Sequence, residues 1–221
     1  MDTARSHPGP LDHRVYPLTA CVWFRKTGED FGGLSNMAPG FPLLVSSILI
    51  GTTEAVYQAL RFPHELDVQK MILEERSPMT AKMKSKPYRD RTRPDWEQVK
   101  VKVMRWALRV KLAQNWEKFG HLLESTGNLP IVESSRKDVF WGAKVDAERE
   151  ALEGANVLGR LLMELREGLR KHPETLRVVE PPSIPDALLL GRPIERIFAP
   201  TSSEGGTASL PRQQAQLRLV G

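Results

Sequence analysis

Glu54 stands where a carboxylate could take part in chemistry. It follows Thr52 and Thr53, either of which can cap a helix, so Glu54 falls in a predicted first helical turn. Free backbone N–H groups there stabilise a negative charge. Tyr57 and Gln58 come one turn later. The carboxylate therefore either serves only the helix start or lines a pocket, where it would order a substrate hydroxyl or a water.

Lys111 is the second residue with unusual surroundings in the sequence. It continues an apolar stripe at helical spacing, formed by Val101, Met104 and Leu108. Such a lysine either extends its stem to reach solvent or lies desolvated. In the second case its pKa falls, and the amine becomes a nucleophile that can form a Schiff base.

Four further residues could contact a ligand, and each also has a purely structural interpretation. Trp96 and Trp141 lie near predicted loop boundaries, where an indole can stack on a nucleobase or pack in the core. Asp146 either contacts a ligand or keeps a loop solvated. Asn156 precedes a predicted helix and is expected to cap it.

Several kinds of chemistry are disfavoured by the sequence. The five histidines lack metal-ligand spacing, and we find no phosphate-binding P-loop, dinucleotide-binding glycine signature or serine nucleophile elbow. We therefore expect neither a metal ion nor another cofactor. A single cysteine, Cys21, indicates a reducing compartment. Together with the lack of a secretory signal or a long apolar run, this predicts a soluble, cytoplasmic protein without membrane contact.

Positive charge is concentrated in the middle of the chain. Residues 82–118 contain 12 Lys and Arg against 4 Asp and Glu, a local net charge of +8, whereas the whole chain carries +5. This excess favours a polyanionic partner such as a nucleic acid, although a solvated helix face would carry lysines too.

The hydrophobic patterning predicts an α+β protein with one mainly helical domain and a small strand component. We assign 1–19 to a flexible N-terminal arm, 20–172 to the domain, and 173–221 to a proline-rich, irregular extension with a mobile tail. Helices are predicted over 54–62, 65–76, 79–84, 96–115, 116–125 and 156–171. Strands are predicted over 20–24 and 130–133, and one strand or a hairpin over 41–50.

Seven segments, in order along the chain, resemble one family. They include Leu34-Ser35-Asn36 and Phe140-Trp141-Gly142. The others cover 53–59, 77–82, 93–96, 104–111 with 114–115, and 156–163. Together they resemble the NADAR, or YbiA-like, family over about residues 22–170. One departure is the link at 147–155, which is longer and more charged than the family's usual short glycine-rich link.

The resemblance implies cleavage of N-glycosidic bonds on ribosylated bases. The basic segments are most similar to the antitoxin-type branch, which removes ADP-ribose from guanine in DNA. A substrate of that kind would be ADP-ribosylated DNA, which we expect to be single-stranded because the base must be accessible. ADP-ribose would be the product, and an ADP-ribosyltransferase toxin could be a cognate partner. Alternatives are an N-glycosidase for ribosylaminopyrimidine phosphates of the riboflavin pathway and a non-catalytic reader of ADP-ribose or nucleic acid.

The same resemblance assigns roles to individual residues. Glu54, Lys111 and Asp146 are the expected catalytic residues, with Lys111 as the Schiff-base nucleophile and Lys82 as the second candidate for that role. In this scheme the pyrophosphate docks near Lys82, Lys84 and Arg93. The expected substrate-binding residues are Asn36, Tyr57, Gln58, Lys82, Lys84, Arg93, Trp96, Trp141, Gly142 and Asn156.

Overall fold

The computed structural model describes residues 12–200, and the first part of the predicted arm and the tail from residue 201 lie outside them. This part of the chain forms six α-helices, as the sequence predicts, with bounds that differ mainly by a few residues at the ends. They are α1 (Thr53–Ala59), α2 (Leu66–Leu73), α3 (Pro78–Ser85), α4 (Trp96–Gln114), α5 (Trp116–Glu124) and α6 (Val157–Lys171).

Local sequence signals fix the starts of two helices that matter for the site. The Thr52 hydroxyl accepts a hydrogen bond from the Ala55 amide (3.3 Å) and caps α1. The Ser77 hydroxyl accepts one from the Thr80 amide (3.3 Å), and Pro78 then opens α3. Both caps satisfy N–H groups that the first turn of a helix leaves free.

Eleven short strands are present in the described residues, and none exceeds four residues. They are β1 (Arg14–Pro17), β2 (Val22–Phe24), β3 (Leu43–Val45), β4 (Ile48–Ile50), β5 (Ile131–Glu133), β6 (Lys144–Asp146), β7 (Ala151–Gly154), β8 (Val178–Val179), β9 (Leu188–Leu189), β10 (Arg192–Pro193) and β11 (Ile197–Phe198). β2 pairs in parallel with β5, and β3 forms a hairpin with β4. Ser46 and Ser47 turn that hairpin with positive φ angles of 47° and 67°.

The expected flexible arm needs correction, because its last part is a strand. β1 pairs antiparallel with β7, Arg14 opposite Gly154, and β7 pairs on its other edge with β6. The long link at 147–155 is thus mostly the turn and second strand of the β6–β7 hairpin. The pairing partner lies more than 130 residues away, so local patterning could not reveal this strand.

The segment after α6 also differs from the predicted irregular extension. β8 pairs with β11 and β9 with β10, and strands β8 and β11 pack against α4. Leu176, Val179 and Ile197 are buried there. Each of these four strands is only two residues long, yet the segment covers part of the core.

Helix α4 is the centre of the core. It packs against α1, α5 and α6, and the side chains of Val103, Trp106, Leu108 and Val110 are all buried. The buried side chains of this helix therefore face several other elements of the fold. No described helix combines the length and the apolar character that crossing a membrane would require.

The start of α6 is built differently from the expected asparagine cap. Asn156 adopts a left-handed conformation (φ 48°, ψ 46°), and its side chain does not bond to the helix start. Instead, the Phe140 and Trp141 carbonyls accept hydrogen bonds from the Val157 and Leu158 amides, at 2.9 and 3.0 Å. The loop that carries Trp141 thus satisfies the first turn of α6.

Gly159 lets α6 lie directly against β5. A Cβ atom at this position would overlap the carbonyl oxygen of Ile131 and the side chain of Asn156. We expect Gly159→Ala to lower the free energy of unfolding by about 1–3 kcal/mol, because the helix must move away from the strand. Urea unfolding followed by circular dichroism measures the change.

The matched control lies in the same helix. A Cβ at Gly168 would sit 3.5 Å from a Leu176 methyl group, which is ordinary contact. Gly168→Ala should leave stability unchanged or raise it by up to about 1 kcal/mol through helix propensity. Equal effects of the two substitutions would contradict the close packing of α6 on β5.

Candidate active site

A cavity of about 320 Å³ opens between α1, α3, α4 and the segment from β5 to α6. It brings together seven of the residues predicted for the site. These are Asn36, Glu54, Tyr57, Gln58, Lys82, Trp96 and Trp141. Residues that are more than 100 positions apart in the sequence thus face one space.

Glu54 is the most firmly held group of the cavity. Its side chain is only 2% exposed. The Asn36 amide donates a hydrogen bond to one carboxylate oxygen, and the Gln58 amide donates to the other at 2.9 Å. The Glu54 backbone N–H also donates to the Asn36 carbonyl (2.9 Å). The carboxylate is therefore fixed in position as well as buried.

Burial and the neighbouring groups shift the pKa of Glu54 in opposite directions. Burial raises the pKa of Glu54, while the positive charge of Lys82 and the two amide hydrogen bonds oppose the rise. Lys82 lies on α3 with its side chain exposed toward the cavity mouth. The Ser85 hydroxyl donates to the Gln58 side-chain oxygen (3.3 Å), which ties α3 to the carboxylate's support.

A second carboxylate of the cavity, Glu133, was not anticipated. It ends β5, and its backbone N–H donates to the Asn156 side chain (3.1 Å). Burial, followed by the negative charges of Glu54 and Asp138, raises the pKa of Glu133 from 4.5 to about 7. A carboxyl with that pKa can donate or accept a proton near neutral pH.

Three aromatic rings form one wall. Tyr57 lies between Trp96 and Trp141, with ring centroids 5.0 and 5.6 Å away, and its ring is nearly perpendicular to that of Trp141. The Asp138 carboxylate accepts hydrogen bonds from the backbone N–H groups of Phe140 (3.0 Å) and Trp141 (2.9 Å), which holds the tryptophan loop. Such a wall can flank a sugar or a base.

The mouth of the cavity is basic on the side of α1. Arg61 donates from Nε to the Thr92 hydroxyl (2.8 Å), and its guanidinium lies 5.7 Å from the Trp96 ring centroid. Burial lowers the pKa of Arg61, and the nearby charge of Arg89 acts in the same direction. Two guanidinium groups that face one opening are suited to an anionic ligand such as a phosphate.

Lys111 lies in the core and does not line the cavity. It is desolvated, as one of the two alternatives predicts, but it is not placed where a nucleophile would reach a ligand in the cavity. Its amine is 0% exposed and donates to the carbonyls of Gly33 (2.6 Å) and Ser35 (2.9 Å). The rings of Phe41 and Phe119 enclose it at 4.4 and 4.3 Å. Burial, with the charge of Lys118 as the second cause, holds the pKa of Lys111 well below its ordinary value.

Three other predicted residues have structural partners away from the cavity. Asp146 accepts hydrogen bonds from the backbone N–H groups of Glu148 (3.1 Å) and Arg149 (3.2 Å) and so forms the β6–β7 turn. Lys84 pairs with Glu75. Arg93 is buried, pairs with Asp95 and donates to the Pro185 carbonyl (2.7 Å), which anchors the C-terminal segment.

Gly142 and Asn156 support the site from behind. The Gly142 carbonyl accepts a hydrogen bond from the Asn156 N–H (3.1 Å). The Asn156 side chain bridges β5 by donating to the Ile131 carbonyl (2.8 Å) and accepting from the Glu133 amide. Both residues hold Glu133 and the tryptophan loop in place without lining the cavity.

The cavity also contains residues that the sequence analysis did not single out. Two of them had a weak signal in the sequence. Glu133 ends an apolar strand, and Asp138 lies two residues before the Phe140-Trp141-Gly142 motif. No group of three residues suited to a metal ion occurs between Asp12 and Pro200. The other unanticipated lining residues are Met37, Arg61, Arg89, Glu97, Lys100, Met104 and Leu158.

These features define an α+β domain with a polar cavity that contains four carboxylates, two lysine amines and a tryptophan-rich wall. Residues 23–170 match the NADAR domain model, and the chain belongs to this family.

Two relatives and one solved structure show the extent of the similarity. The N-glycosidase YbiA of Escherichia coli is 38% identical over 149 residues, which are 66% of this chain and 86% of that protein. A riboflavin biosynthesis protein of Vibrio vulnificus is 34% identical over 151 residues, 68% of this chain but 39% of that longer protein. The NMR structure of E. coli YbiA has a TM-score of 0.59 at 36% identity, covering 68% of this chain and 85% of that one.

Glu133 should make stability depend on pH. Its pKa in the folded state is about 7, above its ordinary 4.5, so the folded state binds the extra proton between these values. Its contribution is therefore fully present below about pH 4.5 and is lost as the pH rises through about 7. We expect Glu133→Gln, which stays neutral, to remove this decline, as measured by urea unfolding over that pH range.

The matched control for this prediction is Glu124→Gln, an exposed residue at the end of α5. The unfolding free energy of this variant should change with pH as it does in the wild-type protein. If the wild type and Glu133→Gln show the same pH dependence, the burial of the Glu133 carboxyl is refuted.

Lys111 should contribute to stability through the two carbonyls it binds. In Lys111→Met the Gly33 and Ser35 carbonyls lose their donor in the core. We expect a loss of about 1–3 kcal/mol in unfolding free energy. Lys118→Met removes one hydrogen bond from an exposed lysine to Gly40 and should cost less than about 1 kcal/mol. Denaturant titration of both variants makes the comparison.

Proposed function

We propose that this protein is an N-glycosidase that hydrolyses the bond between ribose C1′ and a base nitrogen, and that Lys82 is its nucleophile. The observation that carries the proposal is the placement of Lys82, Glu54 and Glu133 in one cavity with a tryptophan wall. An amine and two carboxyls supply the groups that covalent and acid–base catalysis of this cleavage need. The relatives from E. coli, Shigella and Nostoc are all named N-glycosidases, which supports this class of reaction.

The first step opens the sugar ring. Glu133 in its protonated form donates a proton to the ring oxygen while the bond from C1′ to that oxygen breaks. The lone pair of the base nitrogen forms a C=N bond to C1′ and stabilises the open form. A pKa of about 7 leaves a substantial protonated fraction of Glu133 at neutral pH.

In the next steps the Lys82 amine replaces the base at C1′, and water then replaces the amine. Glu54 accepts a proton from Lys82, whose freed amine attacks C1′. Glu54 passes this proton to the base nitrogen and takes a second one from the lysine nitrogen. The bond from C1′ to the base then breaks, leaving a protonated imine between C1′ and Lys82. Water adds to this carbon, the amine departs and regains a proton from Glu54, and the sugar closes to its hemiacetal while Glu133 recovers its proton.

For the substrate we propose guanine that carries ADP-ribose in DNA, with the ribose in the cavity and its diphosphate toward Arg61 and Arg89. Those two arginines are the support for an anionic group at this mouth. A modified guanine must leave the base stack to reach the buried Glu54, which favours single-stranded DNA. In this scheme ADP-ribose is the product, and the enzyme would counteract an ADP-ribosyltransferase toxin.

A second substrate class has its own support. Relatives from Vibrio vulnificus and Zea mays carry riboflavin biosynthesis names, at 34% and 32% identity. A ribosylaminopyrimidine phosphate would present the same C1′ to Lys82 and one phosphate to the arginines. The same catalytic groups would serve both substrates, so turnover must decide between them.

Borohydride trapping tests the nucleophile. We expect the wild-type protein, incubated with a guanine-ADP-ribosylated oligonucleotide and sodium borohydride, to gain the mass of the reduced sugar adduct. Peptide mapping should place the adduct on Lys82. Lys82→Ala should abolish trapping and lower kcat by at least about 100-fold, the usual scale for a lost catalytic group.

Lys86→Ala is the matched control, an exposed lysine one turn further on that does not line the cavity. This variant should form the borohydride adduct and turn over substrate like the wild type.

Turnover of the ribosylaminopyrimidine phosphate alone would establish the second substrate class. Wild-type rates in Lys82→Ala would exclude the covalent route and favour water activated by a carboxylate. Binding of both substrates without cleavage would overturn the enzymatic function.

A further inference from the structure

A larger cleft adjoins the cavity. It has a volume of about 730 Å³ and lies between α4 and α6. Glu97 and Lys100 line both the cleft and the cavity, so the two spaces meet at these residues. Any chain-like substrate with one unit in the cavity can continue into this cleft.

The cleft combines an apolar floor with a charged edge. Val101, Phe140 and Leu161 supply apolar surface, and the Lys100 amine lies 4.1 Å from the Phe140 ring centroid. Apolar and aromatic surface suits the face of a base, and a positive edge suits a phosphate.

Positive charge continues along α4 beyond this cleft. Lys102 and Arg105 also line the next cleft, of about 530 Å³, and Arg109 follows on the same helix. From Lys100 to Arg109 the helix rises about 14 Å. This length accommodates a few nucleotides of a single strand whose bases contact the protein.

Two of these charges have no protein partner in the described structure. Glu97 pairs with Lys100, and Glu164 pairs with Arg105 at 2.9 Å. In the second cleft Glu180 pairs with Arg196 (2.8 Å). Within residues 12–200, no side-chain hydrogen bond or ion pair involves Lys102 or Arg109, so their charges face the groove uncompensated.

We propose that the α4 groove, formed by these two clefts, binds the single DNA strand next to the modified guanine, an inference that rests on the proposed function for the identity of the strand. The bases contact the apolar floor, and the phosphates lie along Lys102 and Arg109. A duplex does not fit this scheme, because its base faces are stacked and cannot contact Phe140.

Binding of unmodified DNA tests the groove independently of catalysis. The probe is a short fluorescein-labelled single strand of mixed sequence, followed by fluorescence anisotropy at several salt concentrations. Lys102→Glu combined with Arg109→Glu should weaken binding at least about tenfold. The slope of log K against log salt should fall by about 1.4, since each phosphate contact to a single strand contributes about 0.7.

Lys70→Glu is the matched control, because Lys70 is exposed on α2 and does not line the groove. It should bind the strand like the wild type. Circular dichroism spectra and urea unfolding of all three proteins show whether each variant is folded. Equal affinities of the wild type and the double variant would overturn the proposal, as would tighter binding of a duplex or of RNA of the same sequence.

Turnover measurements distinguish a failure of the groove from a failure of the proposed glycosidase activity. If the groove acts on substrate, kcat/KM for a modified oligonucleotide exceeds that for the modified mononucleotide, and the double variant reduces this ratio. Strand binding through the groove without release of ADP-ribose would overturn the DNA glycosidase while leaving the groove established. Cleavage with equal efficiency for both substrates would overturn the groove and leave the glycosidase standing.

Discussion

The buried amine of Lys111 organises the site although it lies outside the cavity. It donates to the carbonyls of Gly33 and Ser35 and thereby fixes the loop that ends in Asn36. Asn36 in turn binds Glu54 through its side chain and its backbone carbonyl. A lysine in the core thus determines where the cavity's most buried carboxylate stands. Moving this loop would release Glu54 from one of its two amide donors.

The features of the fold that could be predicted from the sequence are those that neighbouring residues encode. The helices follow from apolar periodicity and from capping residues such as Thr52 and Ser77, which act within one turn. The structure also brings seven of the predicted site residues to one cavity. In contrast, β1 depends on pairing with a segment more than 130 residues away, and the C-terminal strands depend on contact with α4. No local pattern encodes such contacts.

Some predicted site residues lie away from the cavity for a similar reason. The stripe on α4 correctly indicated that Lys111 could be desolvated, but a stripe does not say which loop faces the amine. Asp146 and Arg93 carry charges that the sequence alone could not distinguish from ligand contacts, and both proved to hold turns and segments together. Glu133 was missed because a carboxylate after an apolar strand is common, and its significance arises only where Glu54 and Asp138 lie nearby.

The segment after α6 has a consequence for how recognition can diverge in this family. Residues from Thr175 to Ser183 form one wall of the second cleft along α4, whereas the match to the family domain ends at residue 170. The cavity with Glu54 and Lys82 lies wholly within the matched region. Mutations in the appended wall can therefore reshape what lies alongside the helix without changing any residue of the cavity, so the two regions can evolve separately.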